Sequence, residues 1–217
     1  MALNRNTIVV FDLETGSASP SNCEVLELAA VAMDPRSLEI KESDLFHCYL
    51  KPTSWDNVQQ EALAVNKLDK EFIEKNGVEL KLGWNDFVKW VKKYDEKNQF
   101  WSRPIPAGHN IINFDLPIIE RLATTFGQVD KDGRQTLFHN RDKFDLMFFC
   151  SSWFENASEP ANYKLDTLRE YFGLSSENAH RADTDIKQTA LLLGRFLKFQ
   201  RNCFKKANFK NACKNAS

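Results

Sequence analysis

Long hydrophobic runs are missing from this 217-residue sequence. No apolar stretch approaches the roughly 18 residues needed to span a bilayer, and Met1 to Asn6 carries no apolar signal region. A soluble, cytoplasmic protein is the expectation. Paired cysteines are missing as well: Cys23, Cys48, Cys150, Cys203 and Cys213 are odd in number and form no C-x-x-C pair, which argues against a disulfide framework and a zinc knuckle. Excess charge of either sign is absent, with 29 Lys and Arg against 30 Asp and Glu, so there is no general basic coat for a polyanion. Any grip on an anionic substrate must be local. Nor is there an internal repeat or a low-complexity linker. What is present, 42% hydrophobic and 27% charged residues, suffices for one domain with a full core.

Residues 7–13 form a continuous apolar, β-branched run that breaks at Thr15-Gly16, the pattern of a central strand buried on both faces. Residues 25–33 and 45–50 read as two further strands around a turn at Asp34-Pro35-Arg36-Ser37, giving a three-stranded meander. From 58 to about 94 the spacing becomes helical, interrupted by Gly77 and Gly83. A short run at 105–107 is a fourth strand, leading through Gly108-His109-Asn110 to a helix over 116–125; residues 144–149 are a fifth strand. Helices are expected over 165–172, ended by Gly173, and over 182–199, with Ile186, Ala190, Leu193 and Leu197 on one face. Strands interleaved with helices indicate a mixed α/β domain, here 1–200. The tail, 201–217, belongs to a stretch holding Lys198, Arg201, Lys205, Lys206, Lys210 and Lys214 without one acid, with Phe199, Phe204 and Phe209 between them. It reads as a flexible solvated extension, as a nucleic-acid contact, or as a contact for a polymerase or other partner.

Side chains two apart on a strand share a face, so Asp12 and Glu14 converge at the end of the first strand. Their repulsion is relieved by a cation between them, and hard oxygen donors suit magnesium or manganese; a solvated strand end is the bland alternative. Two later segments bear on that choice. His109-Asn110-Ile111-Ile112-Asn113-Phe114-Asp115 places an acid between strand and helix, and His180-Arg181-Ala182-Asp183-Thr184-Asp185 places a histidine five residues before an acid in the first turn of a helix. Taken singly, Asp115 and Asp185 equally suit helix N-termini, and His180 a surface loop. Asp145 and Asp166 read as strand-end and cap acids, His47 and His139 as surface or satisfied residues.

The ordered set F-D-L-E-T-G at 11–16, H-N-I-I-N-F-D-L-P at 109–117, L-D-T-L at 165–168 and H-R-A-D-T-D at 180–185 resembles the DEDDh 3′-5′ exonuclease family, to which the proofreading epsilon subunit of bacterial DNA polymerase III belongs. The resemblance runs from about residue 7 to 197. It implies a ribonuclease H-like fold, a mixed five-stranded sheet flanked by helices. It implies two Mg²⁺ ions, with Mn²⁺ able to substitute: Asp12 bridging them, Glu14 and Asp185 completing the nucleophile-side ion, Asp115 supporting the other, and His180 accepting the proton of the attacking water. The family pattern H-x-A-x-x-D falls on Asp185 rather than its rival Asp183. Leu13, Thr15, His109, Asn110 and Phe114 correspond to substrate contacts, Phe114 either packing on a terminal base or lying in the core. Two departures stand out: Thr15 is followed directly by Gly16, one residue short of the common pattern, and His109 precedes Asp115 by six, similar to a longer variant of that motif.

The resulting expectation is metal-dependent 3′-to-5′ hydrolysis of single-stranded DNA ends, free-standing or proofreading in DNA replication for a polymerase on another chain, with no membrane association. An RNA 3′-end trimming enzyme of the same family and a non-catalytic nucleic-acid-binding module are the alternatives; the acids and histidine do not separate DNA from RNA, because that discrimination lies around the sugar 2′ position.

Overall fold

The computed structural model describes residues 6–95, 97–175 and 181–207. Strand β1 (Ile8–Thr15) lies inside a mixed sheet, and its apolar run is explained by burial on both sides. Strands β2 (Val25–Met33) and β3 (Phe46–Lys51) follow as the antiparallel meander, with β1 pairing β2 from Ile8–Met33 to Thr15–Val25. The turn after β2 is set by Asp34, whose carboxylate accepts the amides of Arg36 and Ser37 at 2.8 and 2.7 Å.

Helices α1 (Gln60–Asn66), α2 (Lys70–Asn76) and α3 (Leu80–Lys92) occupy the helical stretch, but between α2 and α3 sits a two-residue strand, β4 (Val78–Glu79), parallel to the end of β3. The sheet therefore has six strands where the sequence indicated five. Gly77 closes α2 through its amide to Ile73 O at 2.7 Å and then turns extended, which delivers Val78 to Leu50. Gly83 interrupts nothing: it lies within α3, where an added Cβ would stand 2.3 Å from Leu50 Cδ2.

Beyond α3 the chain forms β5 (Ile105–Gly108), α4 (Asp115–Thr125) and β6 (Phe144–Asp145), completing the order β4-β3-β2-β1-β5-β6 with β5 parallel to β1 and β6 parallel to β5. Residues 144–149 are not a full strand. Asp145 caps a helix, accepting Met147 N at 2.9 Å, and α5 (Leu146–Trp153) buries Leu146 and Cys150 at helical spacing. Helices α6 (Leu165–Tyr171) and α7 (Ala182–Lys206) follow, so the boundary expected at residue 200 falls inside a continuous helix.

Two cores flank the sheet. On one face Val9, Phe11 and Leu13 of β1 pack with Phe87 and Val91 of α3 and Ile119 and Leu122 of α4; on the other, Ile8 and Val10 pack with Ile186, Ala190, Leu193 and Leu197 of α7. Strands β1, β5 and β6 run in parallel, so their carboxyl ends open on one edge, where ligands of such sheets bind. No helix among the described residues is long and apolar enough to cross a membrane.

Gly108 sits at that edge with no room for a side chain: a Cβ there would lie 2.1 Å from Ile111 Cγ2 and 2.8 Å from the Phe11 carbonyl oxygen. Gly108→Ala is therefore expected to cost about 1–3 kcal/mol through overpacking, measurable as a lower urea midpoint with an unchanged slope. A midpoint equal to that of the parent would contradict this packing.

Candidate active site

Alternation along β1 decides which groups meet. The period that sends Ile8 and Val10 toward α7 carries Asp12 and Glu14 onto the same face. Helix α7 begins beneath them: Arg181 is extended, the Asp185 amide donates to Arg181 O at 2.9 Å, and Asp185 lies in the first turn. The outcome is a carboxylate cluster, with ligand oxygens of Asp12, Glu14 and Asp185 all within 4.8 Å of one another. Asp183 is not part of it, its carboxylate lying 3.3 Å from Arg181 Nε instead.

Asp115, 3% exposed and first in α4, reaches back to accept the Leu13 amide at 3.0 Å. Strand β5 pairs with β1 only as far as Ala107–Val10, so Leu13 has no strand partner on that side and the carboxylate takes the place of one. Asp145 performs similar work one strand further, accepting the amides of Asn110 and Ile112 at 3.0 and 3.1 Å. It fixes the loop in which Asn110 takes a left-handed conformation, φ 59°, consistent with a structural acid.

Burial and crowding set the electrostatics. Asp12 is held well above the usual carboxylate range, first by burial and then by Glu14, Asp115, Asp185 and Glu27. Glu14 is pushed up to about 8 by burial, then by Glu27, Asp185 and Asp115. Asp115 rises to about 7 through burial, moderated by the Leu13 amide. Hard carboxylate oxygens concentrated in this way fit a divalent cation with oxygen preference, such as Mg²⁺ or Mn²⁺.

Two partners of the cluster escape a sequence reading. Arg169 is 2% exposed and donates through Nη2 to Asp185, Nη1 to Asp166 and Nε to Gln188, so three of its donors are committed in different directions. The available signal was an arginine on the buried stripe of α6, beside Leu168. Glu27, 1% exposed, is the register partner of Glu14 on β2 and lies 2.6 Å from Nε2 of His47 on β3. Like charges directly opposite on a sheet are unfavourable, and His47 provides Glu27 with a hydrogen-bonding neighbour. His139 is satisfied elsewhere, its Nδ1 accepting the Asp142 amide at 3.0 Å.

The remaining sequence candidates line the same edge in different ways. Leu13 buries its side chain in the core and uses its amide. Thr15 is buried, its hydroxyl donating to Ser17 O and its carbonyl accepting from Asn66. Phe114 is half-buried against the α3/α4 core, and Asn110 accepts from the Asn113 side chain at 2.9 Å. His109 is pushed down to about 4 by burial, which leaves it neutral at neutral pH with a buried Nδ1 that has no hydrogen-bond partner in the structure. His180 lies outside the described residues.

Comparison with known proteins adds the following. The model of the Exonuclease family, RNase_T, matches residues 9–193. Ribonuclease T of Buchnera aphidicola subsp. Schizaphis graminum is 28% identical over 118 residues, 52% of this chain and 53% of that protein, so the chain spans about half the length of this curated relative. Among solved structures, E. coli exonuclease I in complex with a dT13 oligonucleotide superposes with a TM-score of 0.71 at 16% identity, covering 93% of this chain and 43% of that one. Cell-death related nuclease 4 superposes with a TM-score of 0.67 at 17% identity, covering 90% and 65%. These likenesses establish the fold, a ribonuclease H-like α/β sheet.

Two expectations follow from the electrostatics. Glu14 and Asp115 in the folded protein retain protons that the unfolded chain loses at its ordinary values of 4.5 and 3.8. At these two sites the native state thus binds more protons between roughly pH 4.5 and 8, a contribution to stability that is lost as pH rises; the lowered His109 and His139 oppose it only below their ordinary 6.5. In EDTA the melting temperature is expected to drop from pH 5 to pH 8, and excess Mn²⁺ is expected to flatten that drop; a chelated protein most stable at pH 8 would contradict the assignment. Arg169→Gln breaks the buried ion pair to Asp185 and is expected to destabilise the chelated protein by about 3–5 kcal/mol, the usual cost of breaking a buried ion pair. Equal denaturation midpoints for the two proteins would remove Arg169 from this role.

Proposed function

The chain belongs to the DEDDh 3′-5′ exonuclease family, and from that premise we propose that it releases nucleotides from the 3′ ends of single-stranded DNA by phosphodiester hydrolysis, with two Mg²⁺ ions as cofactors and Mn²⁺ able to substitute. The observation that carries the proposal is the meeting of Asp12, Glu14 and Asp185 within 4.8 Å at one strand end, with Asp115 bound to the adjacent amide. When bound, the paired cations supply water activation and neutralise charge on the phosphate and the departing oxygen. Asp12, Glu14 and Asp185 hold them. Asp115 keeps its place through Leu13, and Arg169 fixes the carboxylate of Asp185. His180 takes the role of proton acceptor, a task to which an unperturbed pKa of about 6.5 is suited near neutrality. Neutral His109, Asn110, Phe114, Thr15 and Leu13 form the nucleotide side of the site.

The deoxyoligonucleotide held by the exonuclease I neighbour favours DNA. RNA 3′-end trimming is the second reading, favoured by the sequence likeness to a ribonuclease T. Proofreading beside a polymerase on another chain is one setting for the same chemistry. A non-catalytic binding module gains no support, because the four acids remain together.

The deciding assay uses single-stranded DNA and RNA of matched sequence, labelled at either end, with Mg²⁺ or EDTA. Expected are release of labelled mononucleotide from the 3′ end, stepwise shortening of the 5′-labelled strand, and a loss of at least a hundred-fold in Asp12→Ala. Cleavage of RNA alone moves the assignment to RNA trimming; persistence of both polymers in Mg²⁺, and again when Mn²⁺ replaces it, overturns the enzymatic reading.

A further inference from the structure

Helix α7 continues beyond the core that it covers. Its segment from Arg195 to Lys206 holds five cations, Arg195, Lys198, Arg201, Lys205 and Lys206, and no acid. A helix C-terminus favours positive charge in its last turn, which accounts for Lys205 and Lys206 but not for the others. Nor does it account for the aromatic rings among them. Phe199 is 49% exposed, Phe204 68%, and Trp153, the last residue of α5, 50%. Trp153 and Phe199 meet edge to face with centroids 5.0 Å apart, forming an aromatic ledge. Beside the ledge is an open cleft of about 900 Å³ whose walls include Arg36, Trp153, Arg201, Phe204 and Lys205. Arg201 is held there by the carbonyls of Pro35 and Arg36, at 2.8 and 2.9 Å, so its charge is positioned without being neutralised by a carboxylate among the described residues.

We propose that this surface is a second contact for the single-stranded nucleic-acid substrate, gripping it on the 5′ side of the end being hydrolysed. The assignment of the gripped strand as substrate rests on the exonuclease reading; the surface itself does not. Aromatic faces interspersed with cations match the alternation of base and phosphate in a single strand, an alternation that an acidic peptide lacks. Bases stack on Trp153 and Phe204, while Arg36, Arg201 and Lys205 meet phosphates. Phe204 lies about 28 Å along the helix from Asp185 at 1.5 Å rise per residue, so short oligonucleotides fill the active site without reaching the cleft. Longer strands reach both.

The test compares the parent with Lys205→Glu/Lys206→Glu and with Trp153→Ser, each first checked for an unchanged melting temperature. Binding of labelled dT20 and dT4 is followed by anisotropy in EDTA, and hydrolysis of both in Mg²⁺. Expected are at least tenfold weaker binding of dT20 by both variants, and a salt dependence shallower by at least about 0.7 in the double variant, the share of the Lys205 phosphate contact. Turnover of dT4 stays at the parental rate. Parental affinity and salt slope for dT20 in both variants overturn the proposal, as does equally tight binding of an oligoglutamate peptide by the parent. Were the parent to hydrolyse neither oligonucleotide while the variants still lost dT20 binding, the exonuclease reading would fail and the second contact would stand.

Discussion

Mutual repulsion among Asp12, Glu14, Asp115 and Asp185 is the constraint around which the structure is arranged. Burial raises the proton affinity of Asp12, Glu14 and Asp115, and the neighbouring acids raise that of Asp12 and Glu14 further. A flexible segment would relieve that cost by moving apart. Strand β1 does not move apart, because it is paired with β2 along its whole length, held by β5 at its start and by Asp115 at Leu13, and buried against α7 on one face and α3 and α4 on the other. The two acids that join it from elsewhere each occupy the first turn of a helix, where the backbone presents unpaired amides and positive potential. Stability given up at the site is recovered in the surrounding cores, as at functional sites in general.

Relief within the protein is partial and directional. Arg169 is itself divided among Asp185, Asp166 and Gln188, which fixes the Asp185 carboxylate. The Leu13 amide does the same for Asp115, and His47 for Glu27 across the sheet from Glu14. The donors thus reach the cluster from separate neighbouring elements, α6, the β1 backbone and β3, rather than from β1's own acid-bearing face. An arginine at the centre would have neutralised the acids and abolished the site.

The parts of this arrangement visible in the sequence were those with a short repeat. D-x-E on an apolar run fixes two acids on one face by period two, and the long apolar stripe of α7 is unmistakable at period 3.6. Short elements were not visible. Apart from Asp145, residues 144–149 are all apolar, so periodicity could not tell strand from helix; the N-cap of Asp145 decides it. Strand β4 exists through two residues paired with β3, a tertiary fact absent from its own sequence. Arg169 and Glu27 were invisible for the same reason, since each derives its meaning from a partner on another element. The end of α7 was placed too early because its stripe loses contact with the core after Leu197, whereas helical hydrogen bonding continues through a run of good helix formers.

The near-zero net charge conceals a polarity along α7. Its first turn carries Asp183 and Asp185 and abuts the other acids; its last three turns carry only cations. Without a cation, burial and crowding keep protons on Asp12, Glu14 and Asp115, so the active-site end offers an anionic strand no attraction, and where those protons are lost it repels one. Attraction at the far end of the helix is independent of metal, so it can hold a strand while the acidic end remains unfavourable. Salt screens such a contact over roughly 8–10 Å at moderate ionic strength, less than half the distance between the helix ends. The two ends therefore act on different phosphates, and the favourable field of one is not cancelled by the unfavourable field of the other.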